Sequence, residues 1–520
     1  MKKNFIRIIC LLVTLFVCCG LFGCAGMADS VSNTVSDIEI IYWESGYGRQ
    51  YMDNLVKRFN EKYPEYKATL VSSAAVSNNT IYMDPASNTA DLYITTFELK
   101  NAYKEYLEPM EDMLDIKPDG ESGKTIGEKL GLDFKTKNLL PDGHLYFLPW
   151  NVDSATGILY NKDLFKDRNG KEYKLPRTTS ELIELCLTIT SDGKIPWVFS
   201  ADYWKYIIES WTAQYQGLEK YYKERDGIYT DEDGVEHAND IRILTENTGR
   251  YEAYKVLESL VAPQGYTVAN TNNLTFTAAQ TYFLAGAGVM IPNGTWIENE
   301  MRTTSANIGM MKMPVISALG DKLGLSEEEL CVVVDYVDGV TLSPEDLDFV
   351  RGLSQKTVDA VREARSIHYN HAYADVLIPN YSIAKVGAKK FLEFYYSDEA
   401  LKITQDTLHT FVACEYSNEP IIDKSTWTPF MREVDGMLEN MNVIHLSFNT
   451  PLTYKAGLKD MYHYLASTYL TYVDQTYDNG QLYVDDFVNK KGGQIGFWNK
   501  ECNYWKDNWS RMLTDAGILN

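Results

Sequence analysis

The chain has 520 residues, 45% of them hydrophobic, and a formal charge of −23 from 72 acidic and 49 basic side chains. So acidic a balance repels nucleic acid and anionic lipid, and no basic cluster offsets it, which excludes nucleic-acid binding. At about 100–200 residues per domain the length allows two or three domains with sizeable cores.

Lys2, Lys3 and Arg7 precede an almost uninterrupted apolar run over residues 8–19, which closes on Leu21-Phe22-Gly23-Cys24. This is the layout of a secretory signal peptide. Its last four residues resemble a bacterial lipobox, where a cysteine thiolate takes a diacylglyceryl group and a small neighbour such as Gly23 admits the peptidase. A membrane-spanning helix needs ~20 apolar residues, and residues 8–22 fall short of that. Cleavage before Cys24 removes residues 1–23 with three positive charges and no acids, leaving 497 residues near −26. Two acyl chains, each gaining ~0.8 kcal/mol per buried CH₂, hold such a chain stably on a membrane. The expected location is therefore the extracytoplasmic face of the bacterial cell membrane, with Cys24 as the lipidation site. Residues 24–37 are small and polar and read as a flexible tether.

Residues 38–43 (IEIIYW) are β-branched and aromatic, which predicts a strand. Met52, Leu55, Val56, Phe59 and Tyr63 recur at helical spacing, so 50–63 is predicted as an amphipathic helix that Pro64 stops. Residues 67–71 and 90–95 are the next strands, the opening of an α/β sheet. Short strands follow at 145–148 and 156–160, and a helix at 180–190. Asp167-Arg168-Asn169-Gly170 and Asp231-Glu232-Asp233-Gly234 supply the positive φ angles of hairpin turns. The second lacks the alternating acids and terminal glutamate of a calcium loop. Residues 316–376 are acidic and helical, and helices dominate after about 400. Leu458, Met461, Leu465 and Tyr472 line one helix face; Trp498, Cys502, Trp505, Trp509 and Met512 form another stripe, read as core rather than as a sugar platform. Cys186, Cys331, Cys414 and Cys502 are scattered and read as buried free thiols. No Cys or His spacing suggests zinc. His368, Tyr369 and His371 read as a loop or lobe surface, since nothing nearby completes a metal set.

Several segments carry a family resemblance in order. Trp43-Glu44 and the helix ending FNEKYP look like a first βα unit. Asp142-Gly143-His144-Leu145-Tyr146-Phe147-Leu148-Pro149, then Tyr160-Asn161-Lys162-Asp163-Leu164-Phe165, follow it. Leu175-Pro176-Arg177-Thr178 comes next, with Thr179 where a tryptophan is usual. The run FLAGAGVM at 283–290 closes at Asn293-Gly294-Thr295-Trp296, and 384–400 ends in SDEA as a following helix does. Together these resemble the extracellular solute-binding lipoproteins of ABC importers, of the large carbohydrate-binding, maltose-binding-protein-like class. The segment 316–376 departs from a minimal member and leaves the lobe boundary open there.

The resemblance implies an α/β, two-lobed periplasmic-binding-protein-like fold with crossing hinge strands and a helix-rich C-terminal region. Lobe 1 is expected at 38–150 plus 314–404, and lobe 2 at 155–312 plus 405–520. It further implies a monomer that closes on a saccharide, with a permease and its cytoplasmic ATPase as partners and no cofactor or metal. Sugars present C–H faces to aromatic rings and hydroxyls to carboxylates and amides. In α/β sheets such groups sit beyond the carboxyl ends of strands. Trp43, Glu44 and Ser45 follow the first strand, Thr96 and Phe97 the 90–95 strand, and Tyr203 and Trp204 a strand at 198–199. The resemblance adds Trp150, Asn151 and Asp153 at the first crossover, and Asn293 and Trp296 at the end of their block. The competing class is a surface glycoside hydrolase, which needs two carboxylates about 5–9.5 Å apart. No Gly-x-Ser-x-Gly elbow, HExxH or phosphate loop is present.

Cys24→Ala is expected to release the protein from membranes or block its processing. Unchanged membrane partition and unchanged acyl labelling would rule out the anchor.

Overall fold

Ile38, Ile40, Ile41 and Tyr42 favour an extended chain, and all four are buried in β1 (Ser36–Tyr42). The strand starts two residues inside the expected tether, because Ser36 and Asp37 pair with Tyr66 and Lys67. In the computed structural model, the residues described are 36–71, 83, 86, 88–95, 101–131, 134–140, 142–200, 203–302, 307–370, 374–445, 490–491, 494–495, 497–515 and 517–519. The helix Gln50–Lys62 buries Tyr51, Met52, Leu55 and Phe59 against the sheet. Its Asn60 amide exchanges two hydrogen bonds with Ala68, at 3.0 and 2.8 Å, which fixes helix to strand.

The further strands are β2 (Tyr66–Val71), β3 (Leu92–Thr95), β4 (Leu148–Pro149), β5 (Val152–Asp153) and β6 (Ala155–Asn161). After them come β7 (Ile228–Thr230), β8 (Glu236–Ala238), β9 (Met290–Gly294), β10 (Ile308–Met311) and β11 (Ile367–Asn370). The last labelled strands are β12 (Asp375–Leu377), β13 (Phe411–Val412) and β14 (Asn442–His445). One sheet has the order β2-β1-β3-β12-β4, with β1 parallel to both β2 and β3. The other has the order β10-β6-β11-β14, and β9 also pairs with β6.

The chain passes between these sheets three times. It leaves the first at β4 and enters the second at β6, with β5 between. It returns between β11 and β12. It crosses again at β13, which pairs antiparallel with β5 (Phe411 opposite Asp153) on the way to the helix Pro429–Leu438. The fold is thus α/β and two-lobed, with crossing strands.

Each lobe is built round a hydrophobic cluster, and the first continues into Tyr203, Tyr206 and Trp296 of the second lobe. The first gathers Ile38, Tyr51, Phe59, Leu92, Phe391 and Tyr395, with Phe59 edge-on to Phe391 at 5.1 Å. The second surrounds Trp197, Trp204, Trp211 and Leu257. The 314–404 stretch, expected in lobe 1, divides between them. Leu330, Val333 and Val334 of the helix Glu327–Val337, with Val358 and Val361 of Gln355–Ser366, pack into the second core. Gln355–Ser366 packs between Glu327–Val337 and the helix Trp204–Gln216, and Arg365 ties it down by donating to the Asp338 carboxylate (2.9 Å) and the Met313 carbonyl (2.9 Å).

Other expectations meet mixed outcomes. The helix at 180–190 forms as Thr179–Ser191, and the hairpin at 231–234 joins β7 to β8 with Gly234 at φ 79°. Of 145–148 only Leu148 joins a sheet, because the Leu145 carbonyl is taken by the Met110 N–H at 2.7 Å. The 384–400 segment is not one helix. Ser397 caps a second, Asp398–Leu408, by accepting from the Ala400 N–H at 3.2 Å. His368 and Tyr369 are not on a loop; both are buried on β11. The four cysteines are free and buried, and Cys502, Trp505 and Met512 are buried on the helix Phe497–Asp515. Among the described residues no helix is long and apolar enough to cross a membrane. Residues 1–35, with Cys24, and the 458–472 stripe lie outside the described residues.

Glu224, on the helix Leu218–Arg225, accepts from Asn247 Nδ2 at 2.8 Å and from Gln216. Burial nevertheless lifts its carboxyl to about 7, against the pull of Lys220. A carboxyl that binds its proton more tightly when folded stabilises the fold at low pH. That stability is lost as pH rises from about 4.3, the unfolded value, through the folded one. Glu224→Gln is expected to melt above the wild type at pH 8 and close to it at pH 4.5. A gap independent of pH would contradict the assignment.

Candidate functional site

The site begins where β1 ends. The Trp43 N–H still bonds the Ile94 carbonyl at 2.9 Å, so its ring is held at the carboxyl edge of the first sheet. A tight turn over Ser45–Tyr47 follows. The Gly48 N–H reaches the Glu44 carbonyl at 2.9 Å, and the Tyr42 hydroxyl donates to the Gly48 carbonyl at 3.0 Å. Gly48 has φ 70°, a left-handed value that a side chain would strain. The turn sets Tyr47 edge-on to Trp150, with centroids 5.5 Å apart, and joins its hydroxyl to Ser154. Burial pushes the Tyr47 phenol up, helped by the charges of Asp153 and Glu300 nearby.

The second lobe supplies the opposite wall. Tyr203 stacks on Phe276 (4.8 Å, 25°) and tilts against Trp296 at 5.6 Å. Trp296 also meets Tyr206 edge-on at 5.9 Å. A Cβ on Gly294 would fall inside the Trp296 ring, so only glycine lets the indole fold back over the end of β9. One helical turn on, Glu300 reaches Gly46 of the first lobe so closely that a Cβ there would overlap its side chain. Gln280 Nε2 donates to Glu300 Oε2 at 2.5 Å. Glu300 is exposed, although the protein packed beneath it raises its carboxyl above the usual glutamate range.

Trp43, Gly46, Tyr47, Ser154, Tyr203, Phe276, Trp296 and Glu300 line one partly open cavity between the lobes, about 490 Å³ with the adjoining solvent counted.

Of the residues expected from sequence, Trp43, Tyr203 and Trp296 reach this cavity. Trp150 does not. It is 1% exposed behind Tyr47 and donates to the Tyr51 hydroxyl at 2.6 Å. Trp204 is also core, edge-on to Trp197 and Phe199 at 5.1 and 5.4 Å. Asn151 is fully buried and donates to the Tyr395 carbonyl and Thr404 Oγ1, both at 3.3 Å. Asp153 is buried at the crossing, where Asn370 Nδ2 donates to it at 2.6 Å. Asn293 is buried in β9 and accepts from the Gly294 N–H at 2.7 Å. Glu44 contributes its carbonyl to the turn and lies off the cavity lining. Thr96, Phe97 and the Ser45 side chain lie outside the described residues.

Sequence reasoning missed Gly46, Tyr47, Ser154, Phe276 and Glu300. Tyr47 sits in the same post-strand loop as Trp43, and Glu300 is four residues after Trp296, so helical spacing could have linked them. Phe276 carries no local signal.

A model of the bacterial extracellular solute-binding proteins matches residues 44–402. The chain belongs to this family. No curated protein matches it in sequence. Among solved structures, a chitin oligosaccharide binding protein superposes with a TM-score of 0.55 at 14% identity, over 92% of this chain and 99% of that one. RafE in complex with raffinose gives 0.53 at 14%, over 92% and 100%. Maltose-bound MalE3 of T. maritima gives 0.51 at 13%, over 90% and 100%. At such identities the likeness establishes the fold alone.

If the Trp296 ring is the anchor on which a ligand stacks, Trp296→Ala weakens binding by about 2 kcal/mol or more. Stability is expected to fall by less than the ~3–5 kcal/mol typical of truncating a core tryptophan, because one side of the ring borders the cavity. Affinity and unfolding free energy measured on the same variant check this. A large stability loss with unchanged affinity in the folded fraction would make Trp296 a core residue only.

Proposed function

We propose that the protein is the substrate-capturing component of an ABC importer, acting as a monomer that takes a carbohydrate between its lobes. It then presents the ligand to a membrane permease driven by a cytoplasmic ATPase. The observation that carries this reading is the ring-lined cavity. Trp43, Tyr47, Tyr203, Phe276 and Trp296 offer flat apolar faces, while Ser154 and Glu300 offer hydrogen-bonding groups to hydroxyls. The family membership supports solute capture outside the cytoplasm. Neighbours described as binding chitin oligosaccharide, raffinose and maltose support carbohydrate as the class.

Anchoring through Cys24 completes the proposal, resting on the lipobox-like Leu21-Phe22-Gly23-Cys24. Closure is a hinge motion about the three crossings, favoured because a ligand touches both lobes only in the closed state. A glycoside hydrolase would need two carboxylates facing the bond. Among the described residues lining the cavity, Glu300 is the one carboxylate.

Incubation of the mature protein with a panel of oligosaccharides separates the two. A rise in melting temperature without product is expected; new reducing ends would overturn the proposal in favour of hydrolysis.

A further inference from the structure

Glu300 places a carboxylate in the cleft with no described counter-charge beside it. Its Oε2 is used by Gln280, while the remainder of the carboxyl faces the cavity and Gly46 of the other lobe. No described basic side chain pairs with it, and the protein crowded round it works against its charge. Arg302, two residues on, is exposed and lies near Gly48. The other groups facing Glu300 add no positive charge. Tyr47 is neutral, and behind it lies acidic Asp153.

Five rings complete the enclosure: Trp43, Tyr47, Tyr203, Phe276 and Trp296. An aromatic face carries partial negative charge and attracts a cation within about 6 Å of its centroid. Rings and carboxylate therefore act in the same sense. A ligand that fills the cleft removes water from Glu300. A neutral sugar can answer it with hydroxyl donors but brings no counter-charge. An ammonium group supplies the missing counter-charge and a charge-assisted hydrogen bond at once.

We propose that the cavity selects saccharides bearing a free amine, with Glu300 as the residue that reads the positive charge and the rings as its cage. This rests on the carbohydrate reading above and narrows it to a substrate class. Glu300 would determine specificity, while stacking on the rings would serve amine-bearing and neutral sugars alike.

The test is calorimetric titration of the mature protein with matched pairs: glucosamine against N-acetylglucosamine, galactosamine against N-acetylgalactosamine, and the β-1,4-linked dimers of the first pair. Acetylation removes the charge and leaves the rest of the sugar. The free amines are expected to bind at least tenfold more tightly. Glu300→Gln should erase that preference, its folding checked by thermal unfolding. Tetramethylammonium, which carries charge without sugar stereochemistry, should compete with the amines in the wild type and fail to do so in Glu300→Gln. Equal or tighter binding of the acetylated partners overturns the inference and leaves the carbohydrate reading standing. A preference for amines that survives Glu300→Gln overturns the role of Glu300. Absence of binding by every saccharide of both kinds, with tetramethylammonium bound, overturns the carbohydrate reading itself.

Discussion

Asp153 is the point on which the two-lobed arrangement turns. Its carboxylate accepts from Asn370 Nδ2 at 2.6 Å, at the start of the second crossing, and from the Ser154 N–H at 2.9 Å. Its carbonyl accepts from Thr410 Oγ1 at 3.1 Å, at the start of the third. Three segments distant in sequence are thereby held at one residue that is 4% exposed. A low surrounding dielectric strengthens such hydrogen bonds. β5 and β13 share only the pairs Asp153–Phe411 and Val152–Val412. So short a ribbon can twist while its anchor stays fixed, which is what a hinge between rigid cores requires.

Two aromatic layers stand on either side of this knot. On the first-lobe side Trp150 packs beneath Tyr47, with Tyr51 holding the indole N–H. Tyr47 in turn reaches Ser154 at the crossing. On the other side Trp296, Tyr203 and Phe276 support one another from β9, the start of the helix Trp204–Gln216 and the helix Phe276–Leu284. The layers meet where Glu300 touches Gly46. A glycine at that contact lets side chain approach backbone with nothing between, so the cavity can be closed on that edge. Even a methyl group there would have to displace Glu300 before the lobes could come so close.

Fold was more legible in this sequence than site, for physical reasons. Periodicity-two and periodicity-3.6 patterns mark strands and helices whatever they pack against, as β1, the helix Gln50–Lys62 and the tryptophan stripe of Phe497–Asp515 illustrate. Apolar stripes do not name their partner, and so the helices from 318 to 366 were legible as helices but not as part of the second core. Aromatic residues carry the same ambiguity at higher stakes. Trp150 and Trp296 both sit at segment ends beside polar residues. One is covered by Tyr47 and Tyr51 and the other borders the cavity, a difference made by residues far away in sequence. Phe276 and Glu300 enter the site through tertiary contacts alone.

The acid excess of the chain bears on this cleft at two ranges. Charges on the surface act on an approaching ligand only within a Debye length of about 8 Å at physiological salt. They can speed the encounter of a cation and do nothing for a neutral sugar. In the amine-selective proposal Glu300, exposed in the open cleft, acts at contact once a ligand has displaced its water, where salt screens little. Rising ionic strength therefore weakens the first contribution while leaving most of the second. For a neutral ligand affinity rests on ring stacking and hydroxyl hydrogen bonds, which salt scarcely touches. The charge of the whole chain and the charge of one cleft residue are in this way separable, although both have the same sign.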